Sequence, residues 1–250
     1  MATRLVLENR LHVLGRHEDL DPERLERKVA IVLDVLFATS TIAAALANGA
    51  KSVVPAIDEA AARQAAAPYP AGGAVLAGEL NAITLPGFAP PTPLALVRHG
   101  VSGRTVVYST TNGTVALDAV RSAHQVYAAA LVNGPAVVRH VLAAHPDRTV
   151  LLVCAGSMGN FNLEDWYGAG YLVDLFVSEL GEGLDLSDAA LAARAQYRSG
   201  RPDEVLMRSR VGRMFSARGL AVEIDYAARP GLLDVVPRLI DGRLVAVRSA

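Results

Sequence analysis

Ala30-Ile31-Val32-Leu33-Asp34-Val35-Leu36-Phe37-Ala38-Thr39-Ser40-Thr41 is the stretch whose reading decides the fold. Four apolar residues run into a carboxylate, and an Ala-rich pattern with hydroxyls near its start follows. The first part reads as a strand and the second as a helix, closed by the stop signal Asn48-Gly49. Three further runs repeat the plan. Ala74-Val75-Leu76-Ala77 leads into Gly78-Glu79, and Thr105-Val106-Val107-Tyr108 into Ser109-Thr110-Thr111-Asn112-Gly113-Thr114. Thr149-Val150-Leu151-Leu152-Val153 leads into Cys154-Ala155-Gly156, with Glu164-Asp165 soon after. Ligands of open α/β sheets bind at the carboxyl ends of strands. Four such ends rich in carboxylates, hydroxyls and glycines therefore point to an enzyme active site rather than a binding module.

Outward from these four runs, apolar β-branched segments alternate with Ala-rich helical ones. Strands are expected at 3–7, 29–34, 52–56, 74–77, 104–108, 124–128, 149–154 and 221–225. Helices are expected at 38–48, 58–67, 113–121, 134–144, 164–180, 187–197 and 203–218. The alternation implies βαβ units and an α/β fold with a largely parallel sheet. Asp58 and Ser187 read as helix N-caps, and Arg218-Gly219 as a helix stop. Leu85 to Pro93 contains four prolines and reads as a stiff loop following Glu79, either a pocket wall or a spacer. The rhythm shows no break that divides the chain, so 1–250 reads as one domain, with two intimately packed subdomains as the alternative.

A hydrophobic fraction of 52% with only 5% aromatics supplies a core built on close helix–sheet packing. The 24 basic and 25 acidic residues leave a net charge of −1. Such a balance offers no field to attract nucleic acid or an acidic membrane. Arg208, Arg210, Arg213 and Arg218 read as the solvated face of a helix. A single cysteine fits a reducing compartment. Neither a signal-peptide pattern nor a membrane-length apolar run appears, so the expectation is a cytoplasmic protein acting on a small anionic molecule, with a homo-oligomer left open.

Asp34, Glu79, Glu164 and Asp165 are the acidic candidates. Any one alone reads as a cap or a surface charge. Converging from separate strand ends, Asp34, Glu79 and Asp165 read as ligands for a hard cation, Mg²⁺, with Asp34 and Asp165 also catalytic candidates. Dispersed histidines and one cysteine disfavour zinc. Thr110, Thr111, Asn112, Gly113 and Thr114 form either an anion cradle of hydroxyls and backbone N–H groups or a capped turn; in the first case Thr110 and Thr111 are catalytic. Thr39, Ser40 and Thr41 offer a second cradle. Cys154 is either a nucleophile or an inert buried thiol, and Gly156 lets backbone approach a ligand.

These residues resemble the 2-phosphosulfolactate phosphatase family, often called ComB-like. The resemblance covers nearly the whole chain. It is carried by 34–42, Ala47-Asn48-Gly49-Ala50, Gly78-Glu79, Leu85-Pro86-Gly87-Phe88, 110–114, Cys154-Ala155-Gly156, Leu163-Glu164-Asp165, Ser187-Asp188-Ala189-Ala190 and Val222-Glu223-Ile224-Asp225 to Val236-Pro237. It implies a layered α/β/α fold with a mixed, largely parallel sheet. It also implies Mg²⁺-dependent removal of phosphate from (2R)-2-phospho-3-sulfolactate. Phe37 and Leu80 stand where the family usually carries arginines, Asn81 follows Leu80, and Ala89-Pro90-Pro91-Thr92-Pro93 departs from the family pattern. Arginine forks clamp phosphate and sulfonate, so these positions imply a substrate site of altered preference. Two alternatives stay open: another hydrolysis or elimination on the same scaffold, and a catalytically silent small-molecule binder.

Overall fold

The structure, a computed structural model, describes residues 10–247. In chain order the first half contains β1 (Leu11–Leu14), β2 (Val29–Leu33), α1 (Ala38–Ala47), β3 (Ser52–Ala56), α2 (Glu59–Ala66), β4 (Ala74–Leu80), β5 (Ile83–Thr84), α3 (Pro93–His99) and β6 (Thr105–Ser109). There follow α4 (Gly113–Ala119), β7 (Gln125–Ala128), α5 (Gly134–Ala144), β8 (Val150–Cys154), α6 (Leu163–Leu180), α7 (Asp188–Arg198), α8 (Pro202–Arg208), α9 (Arg210–Ala217), α10 (Ala221–Ala227), β9 (Val236–Ile240) and β10 (Arg243–Val247). The fold is α/β, around one mixed, mostly parallel ten-stranded sheet of order β1-β8-β2-β7-β9-β10-β3-β6-β4-β5.

The all-apolar run of β2 is explained by burial on both faces. Ile31 and Leu33 face one core with Leu152, Leu172 and Phe176. Ala30 and Val32 face another with Ile42, Val53, Val106 and Leu244. This is the two-residue alternation of a strand, with apolar neighbours on each side. Every residue of α1 from Ala38 to Leu46 is buried. Its small side chains let it pack against β2 and β3 and against β9 and β10 at once.

The strands form two parallel blocks, β1-β8-β2-β7 and β3-β6-β4, separated by the β9–β10 hairpin. Three antiparallel pairings lie between the blocks, so they run in opposite directions along the sheet. A flat sheet would put their carboxyl ends at opposite edges. The hairpin meets each block through one paired position, Tyr127 with Arg238 and Leu244 with Val53, so little holds the sheet flat. It coils enough that Asp34, after β2, lies against Gly113, after β6.

The inner strands and first six expected helices stand within three residues of their expected ends. Asp58 accepts from the Ala61 N–H at 2.7 Å and Ser187 from that of Ala190 at 3.2 Å, as N-caps. Gly49 takes φ +86° after α1. Four expectations are corrected or fall outside. The segment 221–225 is helical: Ile224 and Ala227 are buried on one face, and Glu223 reaches sideways to the start of α3. There Glu223 accepts from the Thr92 hydroxyl and from the N–H groups of Leu94 and Ala95. The helix expected at 203–218 is broken at Ser209, whose hydroxyl accepts from the Gly212 N–H and caps α9. The proline loop ends in α3, with Pro93 in its first turn, where a missing N–H costs nothing. The strand expected at 3–7 lies outside the described residues. β1, β5, β9 and β10 are additions. No helix among the described residues is long and apolar enough to cross a membrane.

Candidate active site

A half-open cavity of about 130 Å³ lies over the strand ends. Asp34, Glu79, Thr111 and Gly156 line it, one from each of the four runs, and Arg210, Val211 and Met214 cover it from α9.

Asp34 leaves β2 at the start of α1. Its backbone is latched by Thr39: the Asp34 N–H donates to Thr39 Oγ1, and the Thr39 hydroxyl and N–H both bond the Asp34 carbonyl, each at 3.0 Å. Burial pushes the Asp34 carboxyl up to about 7, and the charges of Glu79 and Glu164 act in the same direction. Hydrogen bonds from the N–H groups of Ala38 and Phe37 oppose the shift. The carboxylate thus occupies the N-terminus of α1 itself. A Cβ on Gly113 would stand 2.2 Å from Asp34 Oδ2 and 2.4 Å from the Ala38 Cβ, so only glycine fits beside this carboxylate.

Glu79 is the last residue but one of β4 and is 4% exposed. One oxygen accepts the Thr111 N–H at 2.6 Å; the other accepts the Thr111 hydroxyl at 3.0 Å and the Ala82 N–H. Thr111 Oγ1 in turn accepts the Asn81 N–H at 3.0 Å. Asn81 and Ala82, at φ 53° and 61°, make a two-residue turn between β4 and β5. Met158, at φ 52°, faces them across the cavity, its N–H held by Asn112 Oδ1 at 3.0 Å. Three of the four non-glycine residues with left-handed backbone among the described residues therefore line this one cavity. Such a conformation costs about 1–2 kcal/mol per residue for most side chains.

Asp165 is fully buried and does not line the cavity. Its two oxygens accept the N–H groups of Val35 at 2.9 Å and Gly156 at 3.2 Å, joining the turn after β2 to the turn after β8. Burial holds its carboxyl well above the usual range, with Asp34 and Glu164 adding to the shift. Among the described residues no three His, Cys, Asp or Glu side chains are grouped to hold a metal ion. The three expected ligands thus separate into Asp34 and Glu79 at the cavity and Asp165 as a brace behind it. Glu164 is buried with one oxygen lacking a partner; burial raises its pKa, against its own N–H, Ser209 and Arg210.

Other expected site residues have different work. The Ser40 hydroxyl donates to the Val35 carbonyl at 2.6 Å, and that of Thr41 to the carbonyls of Phe37 and Pro91. With Thr39, these three hydroxyls build the turn and do not reach the cavity. Thr110 and Thr114 satisfy each other: the Thr110 N–H donates to Thr114 Oγ1 at 3.1 Å and the Thr114 N–H to Thr110 Oγ1 at 3.2 Å. They form a capped turn, of which only Thr111 and Asn112 face the cavity. Cys154 is fully buried, and burial followed by Asp165 and Glu164 pushes its thiol well up. A neutral thiol in the core is no nucleophile. Phe37 and Asn81 line the cavity; Leu80, 58% exposed, does not.

Arg210 is the residue that sequence reasoning assigned to a solvated face. Its guanidinium hydrogen-bonds Asn162 Oδ1 at 3.2 Å and Ser157 Oγ, both from the loop between β8 and α6. The residue is exposed, as a solvated face requires, but the break at Ser209 restarts the helix and brings its guanidinium to the rim of the cavity. The other arginines near the ends of elements lie elsewhere: Arg104 bonds the carbonyls of Gly72, Ala74 and Gly100, and Arg139 pairs with Asp234.

The sequence profile of one family, 2-phosphosulpholactate phosphatase, matches residues 15–242. A probable 2-phosphosulfolactate phosphatase of Carboxydothermus hydrogenoformans is 40% identical over 236 residues, covering 91% of this chain and 95% of that protein. Proteins of the same description from Symbiobacterium thermophilum and Deinococcus radiodurans are each 36% identical over 226 residues. They cover 89% and 90% of this chain and 96% and 92% of their own.

Proposed function

This chain belongs to the 2-phosphosulpholactate phosphatase family, and we propose that it is a phosphoric monoester hydrolase. Its substrate is a small phosphorylated acid, its cofactor is Mg²⁺, and its preference has moved away from phosphosulfolactate. The observation that carries the reading is the convergence of two buried carboxylates, Asp34 and Glu79, with one guanidinium, Arg210, on one small cavity. Two carboxylates against one cation would repel a phosphate dianion. A divalent cation reverses that sign.

The donor set fits Mg²⁺. The ion takes oxygen ligands and commonly needs only one or two carboxylates beside water and substrate oxygens. Asp34 would hold it with one face of its carboxylate. Glu79, three of whose oxygen sites already accept bonds from Thr111 and Ala82, would add a second contact. When bound, Mg²⁺ polarises phosphoryl oxygens and orients a nucleophilic water.

The rest belongs to the chain's own residues. Arg210 takes the carboxylate of the phosphorylated acid through charge-assisted bonds. Thr111, fixed by Glu79, and Asn112, fixed by Met158, present a rigid polar wall that orients the group. Asp165 holds the turns that carry Asp34 and Gly156 in register. Water attacks phosphorus, the ester P–O bond breaks, and a proton from the water passes to the leaving oxygen, so that the hydroxy acid and inorganic phosphate are released. The test is phosphate release from a panel of phosphorylated small acids and p-nitrophenyl phosphate, with Mg²⁺ and with EDTA. Release in Mg²⁺ alone is expected; equal release in EDTA refutes the metal, and none from any substrate refutes the phosphatase.

A further inference from the structure

We propose that the substrate carries, beside its phosphoryl group, one carboxylate and an uncharged alkyl substituent, selected by an apolar wall of Phe37, Val211 and Met214. This rests on the phosphatase reading above. Among the residues lining the cavity Arg210 is the one cation, and it sits on the same helix as two of the three apolar side chains. Arg210 and Met214 are four residues apart and Val211 and Met214 three apart, so the three are neighbours on one stripe of α9. A group bound there meets a charge and an apolar surface side by side, as an acid does whose carboxylate and alkyl substituent leave the same carbon.

Phe37 completes the wall from the opposite element. Its ring stands edge-on to Phe215, centroids 4.7 Å apart, and Phe215 is fully buried, so the ring has a fixed place. Val211 is also buried. Met214 is unbranched and adapts to substituents of different shape. A sulfonate set against these three side chains would give up water and find no donor in return, a cost that discriminates strongly against it. The one guanidinium cannot serve it as well as the carboxylate. Leu80 takes no part, lying outside the cavity.

Phosphate release in Mg²⁺ from racemic 2-phosphorylated hydroxy acids tests this, the substituent at C2 being methyl, ethyl, isobutyl or sulfomethyl, with p-nitrophenyl phosphate as an unselective substrate. From methyl to ethyl, kcat/KM should rise about threefold to fourfold, the value of one buried methylene. The sulfomethyl acid should fall about tenfold or more below the ethyl one. Met214→Arg, which adds a cation beside Arg210, should narrow that gap; the wild-type series decides by itself if the variant does not fold. A sulfomethyl acid hydrolysed as well as the alkyl acids overturns the inference and leaves the phosphatase standing. Release from no substrate, p-nitrophenyl phosphate included, overturns the reading on which both rest.

Discussion

Replacing Asp34 by Asn should stabilise the metal-free protein while abolishing its activity. The Asp34 carboxyl, pushed up to about 7 by burial and by Glu79 and Glu164, titrates near 3.9 when the chain is unfolded. The folded protein therefore keeps this proton in the interval where the unfolded chain has lost it. Stability from this group is fully present below about pH 4, falls as pH rises towards 7, and is level above. Three pH units at about 1.4 kcal/mol each amount to on the order of 4 kcal/mol withheld from the fold at pH 8. Asn removes the charge and keeps an oxygen for the N–H groups of Phe37 and Ala38. A gain of about 1–4 kcal/mol is expected at pH 8 in EDTA, shrinking towards zero at pH 4. Urea unfolding at the two pH values measures it. Mg²⁺ should raise the midpoint of the wild type and leave D34N unmoved. A D34N protein less stable than wild type at pH 8 in EDTA would refute the reasoning, since the carboxylate would then be a stabilising cap.

Three further outcomes follow from the same geometry. Gly113→Ala sets a Cβ 2.2 Å from Asp34 Oδ2; displacing the carboxylate should cost about 10²-fold in kcat, and an unchanged kcat contradicts the contact. Arg210→Gln should lower kcat/KM by about 10–150-fold, the loss of charge-assisted bonds worth about 1.5–3 kcal/mol, with far-UV circular dichroism unchanged. Cys154→Ala should retain kcat within a factor of about three and lose on the order of 1 kcal/mol of stability; a folded but inactive variant would restore the thiol as nucleophile.

What the sequence reveals and conceals here has a physical basis. The strands of both parallel blocks are legible because burial on two faces demands continuous apolar runs, and the polar residue ending each run is then a position at a carboxyl edge. Asp34 and Glu79 are placed at the cavity that way. The hydroxyls of Thr39, Ser40, Thr41, Thr110 and Thr114 are not read correctly, because a sequence lists donors without saying which acceptors already hold them. In the fold, backbone carbonyls and each other's turns take all five. The oxygens of Asp165 are likewise held, by the N–H groups of Val35 and Gly156. The β9–β10 hairpin carries its own signal in Asp241-Gly242, with φ 47° and 76°, a pair favoured in tight hairpins. Pro237 in the first strand hides it. Arg210 is invisible because α8, α9 and α10 pack on other helices outside the βαβ rhythm, and the pattern of one helix does not say which neighbour covers it.

Stability and chemistry pull against each other at one place in this molecule. Asp34, Glu164 and Asp165 are three buried carboxyls whose pKa values burial raises; the charge of Glu164 adds to the shift of the other two, and that of Asp34 to the shift of Asp165. The left-handed Asn81, Ala82 and Met158 line the cavity that Asp34 also lines, with Asp165 bracing the turns behind it. A core selected for stability alone would replace the carboxyls with apolar groups of like volume. The two sets of unfavourable terms come from different parts of the chain, since the carboxyls follow β2 and begin α6 whereas the strained residues lie in the β4–β5 turn and the loop after β8. Their coincidence therefore does not follow from one local irregularity. It follows if the cavity is held open and negatively charged until a cation and an anionic substrate enter together. On that account Mg²⁺ and phosphate should stabilise the protein more in combination than the sum of their separate effects. Thermal midpoints with each ligand and with both measure the coupling, and simple additivity would mean that the two do not share the cavity.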